Sequence, residues 1–143
     1  MSRRTLTVLV LVISVLAIPG RAPAQDRIRN YFNDAACEVK DAENPAQKRE
    51  ILDRSISNML TGLRKIRSSS LVRESDLEGI DKTRESLAEK LDELKGRNGY
   101  EPVPDDRLDA FADYLVQDME QADRAITISV TTLLLIIIIL LLI

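Results

Sequence analysis

Histidine and tryptophan are absent from this chain of 143 residues, and cysteine occurs once. Without histidine, the chain lacks the side chain that most often serves as a general base and as a metal ligand near neutral pH. A single cysteine leaves no partner for a disulfide within the chain. We therefore expect a non-enzymatic protein with no catalytic residues, no cofactor and no metal site.

Aromatic side chains are scarce, because the chain has only three tyrosines and two phenylalanines. A core built from the remaining apolar residues would be aliphatic and slender, closer to a coiled coil than to the apolar pockets that bind small molecules. The composition therefore implies no small-molecule substrate.

The longest uncharged run lies at the carboxyl terminus, since no charged residue follows Arg124. As a helix that rises about 1.5 Å per residue, the segment 125–143 would be roughly 28 Å long, close to the roughly 30 Å hydrocarbon core of a bilayer. We expect this segment to form a single C-terminal transmembrane helix. It contains no charge and no GxxxG pattern, which indicates an anchor rather than a transport path.

Residues 1–24 have the order of a secretory signal peptide. Two arginines precede an apolar run over 6–18, and small residues then provide a cleavage site after Ala24. The alternative is an uncleaved signal anchor that forms a second span. With cleavage, the part of the chain that precedes the C-terminal anchor would be exported, with the periplasmic side of a bacterial membrane as the expected location.

Acidic side chains are concentrated beside the expected anchor. After residue 24 the chain has 17 basic and 23 acidic side chains, and residues 101–124 contain eight of these acids against two bases. This balance disfavours nucleic acid as a partner. The expected partners are the lipid bilayer and either a second copy of the chain or another envelope protein.

Apolar residues recur at three- and four-residue steps through the exported part, which is the period of an α-helix. We place helices at about 26–40, 45–67 and 76–95 within an exported helical region 25–104, and an acidic juxtamembrane helix at 105–124. No helix breaker separates this last helix from the anchor, so we expect the two to be continuous. The predicted fold is all-α: a small helical hairpin or bundle, or a coiled-coil-like domain, whose last helix continues into the membrane.

Two local patterns indicate helix starts. Asn44 precedes Pro45 and lies three residues before Gln47, which predicts an N-cap, a proline in the first turn and a capping box. Ser75 and Glu78 have the spacing of a second capping box.

Two residues are candidate sites for contacts between chains. Cys37 lies about 180° around the first helix from Ile28, so it would face away from the apolar stripe, where it could form an intermolecular disulfide or remain a free thiol. Arg84 interrupts the apolar stripe of the third helix. It either lowers stability, with its stem along the seam, or selects register and partner.

Clusters of like charge raise two further hypotheses. Asp105, Asp109 and Asp113 would line one helix face, where a calcium ion could find carboxylate ligands, but solvated acids near a helix start are the preferred interpretation. A basic cluster at the end of the second helix would place favourable positive charge there, which is the preferred interpretation; the alternatives are contact with lipid headgroups, cell-wall anions or an acidic partner, and docking on the acidic fourth helix within one molecule or between two. This cluster comprises Arg64, Lys65, Arg67 and Arg73.

The leading hypothesis is a membrane-tethered, exported, non-enzymatic helical protein that acts through protein contacts as an adaptor or scaffold in the cell envelope. One alternative is a membrane-active or stress-responsive small protein that works through its C-terminal span. A less favoured alternative is a carboxylate-based hydrolase, which would need two acids directed into a concave site.

Overall fold

A computed structural model of the chain describes the backbone of residues 26–125 and 130–143, with the side chains of 28–121, 132 and 134–143. No strand occurs in these residues, so the predicted all-α fold is confirmed. The predicted signal peptide lies outside the described residues. The described helices are α1 (Asp26–Asp41), α2 (Pro45–Arg67), α3 (Glu74–Lys95), α4 (Leu108–Ala125) and α5 (Val130–Leu142), and a 3-10 turn at Asp105–Arg107 precedes α4.

Local side-chain chemistry builds the start of α2. Asn44 has an extended backbone, and its side chain accepts a hydrogen bond of 2.9 Å from the backbone N–H of Gln47. Pro45 occupies the first turn, where a backbone N–H would have no acceptor within the helix, so the missing N–H of proline costs nothing. The predicted N-cap is therefore confirmed.

The start of α3 differs from the prediction. The helix begins at Glu74 with Arg73 in the N-cap position, and no side chain caps it. The predicted capping box at Ser75 is wrong, because Ser75 already lies in the first turn. At the other end, Gly96 has a φ of 71°, and a Cβ at this position would lie 2.5 Å from Cδ of Pro102. Glycine permits both this left-handed conformation and this close approach.

The pairing of helix ends shows how the first four helices are arranged. Asp53 of α2 pairs with Lys95 of α3, and near the opposite end Arg67 pairs with Asp81, so these two helices are antiparallel. The most extensive helix contact joins α1 and α4. Their ion pairs, Lys40 with Asp113 and Arg29 with Glu120, show that they are antiparallel as well.

The bundle encloses an aliphatic core, as the scarcity of aromatic residues predicts. One apolar stripe from each helix is buried, because a helix with a single apolar face has to cover that face against its neighbours. The largest fully buried side chains are Phe32, Ile28, Leu52, Ile56, Met59, Leu63, Ile66, Ile80, Leu87, Leu94, Leu108 and Leu115.

Helix α5 does not continue the direction of α4. The start of α4 lies at the start of α2, where Asp105 pairs with Arg49, and the end of α4 approaches Arg29 at the start of α1. In contrast, the first turn of α5 contacts Asp76, at the end of the bundle where α2 finishes, and its last turn lies over Gly62. The structure therefore does not support the expected single rod from the acidic helix through residue 143.

The described part of α5 also differs in length from the expected anchor. It contains 13 residues, which correspond to roughly 20 Å of helix. Within the described residues, no helix has the length and apolar composition needed to cross a bilayer.

Candidate functional site: the apolar helix α5 and the groove beneath it

The inner face of α5 packs on α2 at a glycine. Ile136 is fully buried, and a Cβ placed on Gly62 would lie 3.5 Å from Cδ2 of Leu140. A larger side chain at position 62 would occupy the space that Leu140 uses. Gly62 is itself buried in the interior of a helix, where glycine has no conformational advantage, and a Cβ there would only just reach ordinary contact with Leu140, so a side chain much larger than alanine would push against α5.

A groove of about 410 Å³ runs between α5 and the bundle. Its floor consists of Ile28 and Tyr31 from α1 and Met59 from α2, and its wall includes Ile136 and Ile137. The phenol of Tyr31 donates a hydrogen bond of 3.1 Å to the carbonyl of Ser55. Burial of this phenol raises the pKa of Tyr31. The groove is thus mainly apolar, and the hydrogen bond of Tyr31 joins its floor to α2.

A buried polar contact joins the first turn of α5 to the start of α3. The hydroxyl of Thr132 donates a hydrogen bond of 2.8 Å to a carboxylate oxygen of Asp76, and the two side chains are 1% and 4% exposed. A buried carboxylate is costly unless hydrogen bonds satisfy it. The position of α5 is therefore set by one polar contact as well as by apolar packing.

The described side chains of α5 beyond Thr132 are all apolar, and those that do not face the bundle are half-buried or exposed. After Thr132 every residue is leucine or isoleucine, and most of those described are half-buried. Leu141 and Leu142 are 70% and 74% exposed. A contiguous apolar surface of this kind is typical of a site that contacts protein or membrane. It is the strongest candidate for a functional surface in the described chain.

The acidic face of α4 is paired with bases on the neighbouring helices. Asp113 accepts a hydrogen bond of 2.7 Å from Lys40, and Asp109 accepts one of the same length from Lys48. Asp105 pairs with Arg49 at 2.9 Å. The hydrogen bond from Lys40 to Asp113 raises the pKa of Lys40. Each aspartate thus has a basic partner, and within the described chain no group of acids, histidines and cysteines has a metal-binding arrangement.

The predicted partner of this acidic face is replaced by other bases. The basic cluster at the end of α2 lies elsewhere: Arg67, for example, pairs with Asp81 of α3 at 2.6 Å. Within one chain, this basic cluster therefore does not dock on α4. The bases that pair with Asp109 and Asp113 are Lys48 near the start of α2 and Lys40 of α1, because the start of α4 lies beside these parts of the bundle.

Cys37 and Arg84 lie on the surface. Cys37 is an exposed free thiol, as the helical phase predicts, and an intermolecular disulfide stays a prediction. Arg84 is about one-third exposed and reaches Asp81 at 3.3 Å. The expectation that Arg84 interrupts the seam is wrong, because Thr83 is the buried residue at this level of α3. The buried face of α3 keeps the apolar residues Ile80, Leu87 and Leu94, and polar residues such as Thr83 and Lys90 fill positions between them.

Lys90 is a buried lysine that the apolar periodicity does not predict. The ammonium of Lys90, with only 5% of its side chain exposed, donates hydrogen bonds to the phenol of Tyr114 at 2.7 Å and to Glu93 at 3.0 Å. Asp118 lies 3.6 Å away and also accepts a hydrogen bond from Ser86. Burial lowers the pKa of Lys90, but these hydrogen bonds and the charges of Asp118 and Glu93 raise it by more, so the net shift is upward. The sequence signal for this burial is the spacing of Lys90, which lies three residues after Leu87 and therefore on the same face of α3.

Three of the five aromatic residues line a second groove of about 410 Å³ beside the loop that joins α3 to α4. They are Tyr100, Phe111 and Tyr114. The phenol of Tyr100 donates a hydrogen bond of 2.6 Å to Glu89, which raises the pKa of Tyr100. This bond ties the loop to α3.

Comparison with known proteins found no match among protein-family models, curated proteins or solved structures.

Proposed function

We propose that this is an exported, membrane-attached helical protein that acts through protein contacts rather than catalysis, and that the segment 125–143 attaches it to the bilayer. The observation that carries the proposal is the apolar surface of α5: its described side chains beyond Thr132 are all apolar, most of them are only half-buried, and those at 141–143 are exposed. Apolar surface in water is stabilised when lipid or protein covers it, by about 25 cal/mol per Å². A bilayer would cover the whole circumference of this segment.

A role without catalysis is supported by the way the acids of α4 are used. Asp109 and Asp113 of α4, and Asp105 in the turn before it, each pair with a base of α1 or α2 instead of converging in a groove. The carboxylate-based hydrolase, which requires two acids directed at one substrate, therefore remains the less favoured alternative.

The absence of tryptophan makes a direct test possible. Leu142→Trp would place a unique fluorophore at a position that is 74% exposed. On addition of phosphatidylcholine vesicles to the full chain, we expect the emission to shift to the blue and to be quenched by lipids brominated deep in their acyl chains. Leu71→Trp is the matched control, because Leu71 is 67% exposed on the loop between α2 and α3. Equal, weak quenching at both positions would contradict attachment through α5.

The protein-contact half of the proposal needs a separate experiment. Chemical crosslinking in membranes of cells that express the full chain should trap a defined complex, either a homo-oligomer or a complex with one envelope protein. If no crosslinked species forms, the adaptor role is lost. The membrane-active alternative predicts instead that a peptide covering 125–143 makes vesicles leak, which an adaptor does not require.

A further inference from the structure

The bundle and a bilayer require the same surface of α5. On the bundle, Ile136 is fully buried and Leu140 lies over Gly62. A helix that is inserted in lipid is surrounded by acyl chains, so it cannot keep these contacts with α2. We propose that α5 is stored on the bundle in one state and inserted in the membrane in another, and that the contacts at Asp76 and Gly62 act as the latch between them. This inference rests on the proposed membrane attachment.

Different interactions stabilise α5 on the bundle and α5 in the membrane. On the bundle, the outer face of α5 remains in water, whereas in lipid every apolar side chain is covered, so apolar burial favours the membrane. The bundle offers what lipid cannot: a carboxylate that accepts the hydrogen bond of Thr132, and a glycine surface shaped for Leu140. A small number of contacts therefore sets the balance, and single substitutions can shift it.

Release of α5 would also change the bundle. The groove floor, which includes Ile28 and Met59, loses the helix that covers it. Gly62, which is buried beneath Leu140, becomes accessible from outside. The accessibility of position 62 therefore reports directly whether α5 is stored or released.

A reversible covalent lock tests whether release is required. Gly62→Cys and Leu140→Cys, combined with Cys37→Ser, would place two thiols in contact, because the Gly62 Cβ lies 3.7 Å from the Leu140 Cγ, the position that the sulfur of the second cysteine can take. Leu142→Trp in the same full chain reports insertion. We expect deep brominated lipid in phosphatidylcholine vesicles to quench the reduced protein strongly and the oxidised protein at least fivefold less.

The outcomes of the lock experiment separate the two proposals. Equal quenching of the oxidised and reduced forms would overturn the latch and leave membrane attachment intact. No quenching of either form, together with no quenching of the unlocked Leu142→Trp chain, would overturn attachment itself. Quenching that appears only after reduction supports both.

A second measurement does not depend on disulfide formation. The full chain with Gly62→Cys and Cys37→Ser should react slowly with a maleimide in buffer, because Leu140 covers position 62, and at least fivefold faster once vesicles are present. Leu71→Cys in the Cys37→Ser background is the matched control and should react at the same rate in both conditions. Protection of position 62 that persists on vesicles would overturn the latch.

Discussion

The hydroxyl of Thr132 donates a hydrogen bond of 2.8 Å to Asp76, 56 residues earlier in the chain, and both side chains are buried. This is the buried polar link between α5 and the rest of the bundle that the described side chains show. It places a hydroxyl of the apolar carboxyl-terminal segment against the start of α3. Stored α5 should therefore be sensitive to loss of either group.

Thr132→Val removes the hydroxyl with little change of shape. Because the acceptor is a buried carboxylate, we expect the free energy of unfolding to fall by about 1–3 kcal/mol in urea denaturation. Thr83→Val is the matched control, since Thr83 is also buried but donates only to the carbonyl of Gly79 in its own helix. A larger loss for Thr83→Val than for Thr132→Val would contradict the importance of the link to α5.

Two substitutions at Gly62 should have opposite effects. Gly62→Ala places a Cβ at ordinary contact distance from Leu140 and removes a helix-interior glycine, so we expect stability to rise by up to about 1 kcal/mol. Gly62→Leu should overpack the contact and lower stability by about 1–3 kcal/mol. Thermal denaturation of the two variants measures this difference. A fall in stability for both variants would contradict the expectation that a Cβ fits between Gly62 and Leu140.

The buried ammonium of Lys90 should make stability depend on alkaline pH. Its folded pKa is raised above that of the unfolded chain, so its contribution is complete below about pH 10.4 and is lost as the pH rises through the folded pKa. Lys90→Met leaves Glu93 and Asp118 without this cation, and we expect a loss of about 1–3 kcal/mol at neutral pH. Above pH 10.4 the variant should lose stability less steeply than the native protein.

Lys82→Met is the matched control for Lys90. Lys82 forms an exposed pair with Glu78, and surface pairs contribute little to stability. Urea denaturation at several pH values should therefore show a nearly native profile for this variant. A large loss of stability for Lys82→Met with none for Lys90→Met would contradict the stabilising role of the buried Lys90.

Arg84→Leu should leave stability within about 0.5 kcal/mol of the native value, because Arg84 is partly exposed and its pair with Asp81 is a surface contact. Its oligomeric state should also be unchanged, as measured by light scattering. A large rise in melting temperature would instead restore the earlier interpretation of Arg84 as a polar residue in an apolar seam.

Cys37 should form a disulfide only if two copies present their α1 helices to each other. If they do, non-reducing electrophoresis of membranes, with free thiols blocked, should show a dimer that disappears on reduction and in Cys37→Ser. The exposure of the thiol satisfies the requirement for access. A monomer in the native protein under these conditions would rule out the bridge.

Features that depend on residues close together in the sequence were predictable, whereas those that depend on contacts between distant segments were not. The N-cap at Asn44 was predictable because its hydrogen bond to Gln47 depends on residues three apart. On α3, apolar periodicity locates the buried residues Ile80, Leu87 and Leu94, but it cannot locate Asp76 and Lys90, which are buried although they are charged. Burial of those two charged residues becomes possible through Thr132 and Tyr114, which come from distant segments.

The periodicity of apolar residues, the caps and the breakers determined that this protein is all-α, because helical hydrogen bonds and side-chain phase are local properties of the chain. The tertiary structure decided which charges pair and where the apolar carboxyl-terminal segment lies. Several lysines and arginines are chemically equivalent partners for the acids of α4, and only the helix order selects Lys40, Lys48 and Arg49. Likewise, an apolar helix is stabilised by any apolar surface, and the pairing with Asp76 and the small size of Gly62 direct α5 to this one.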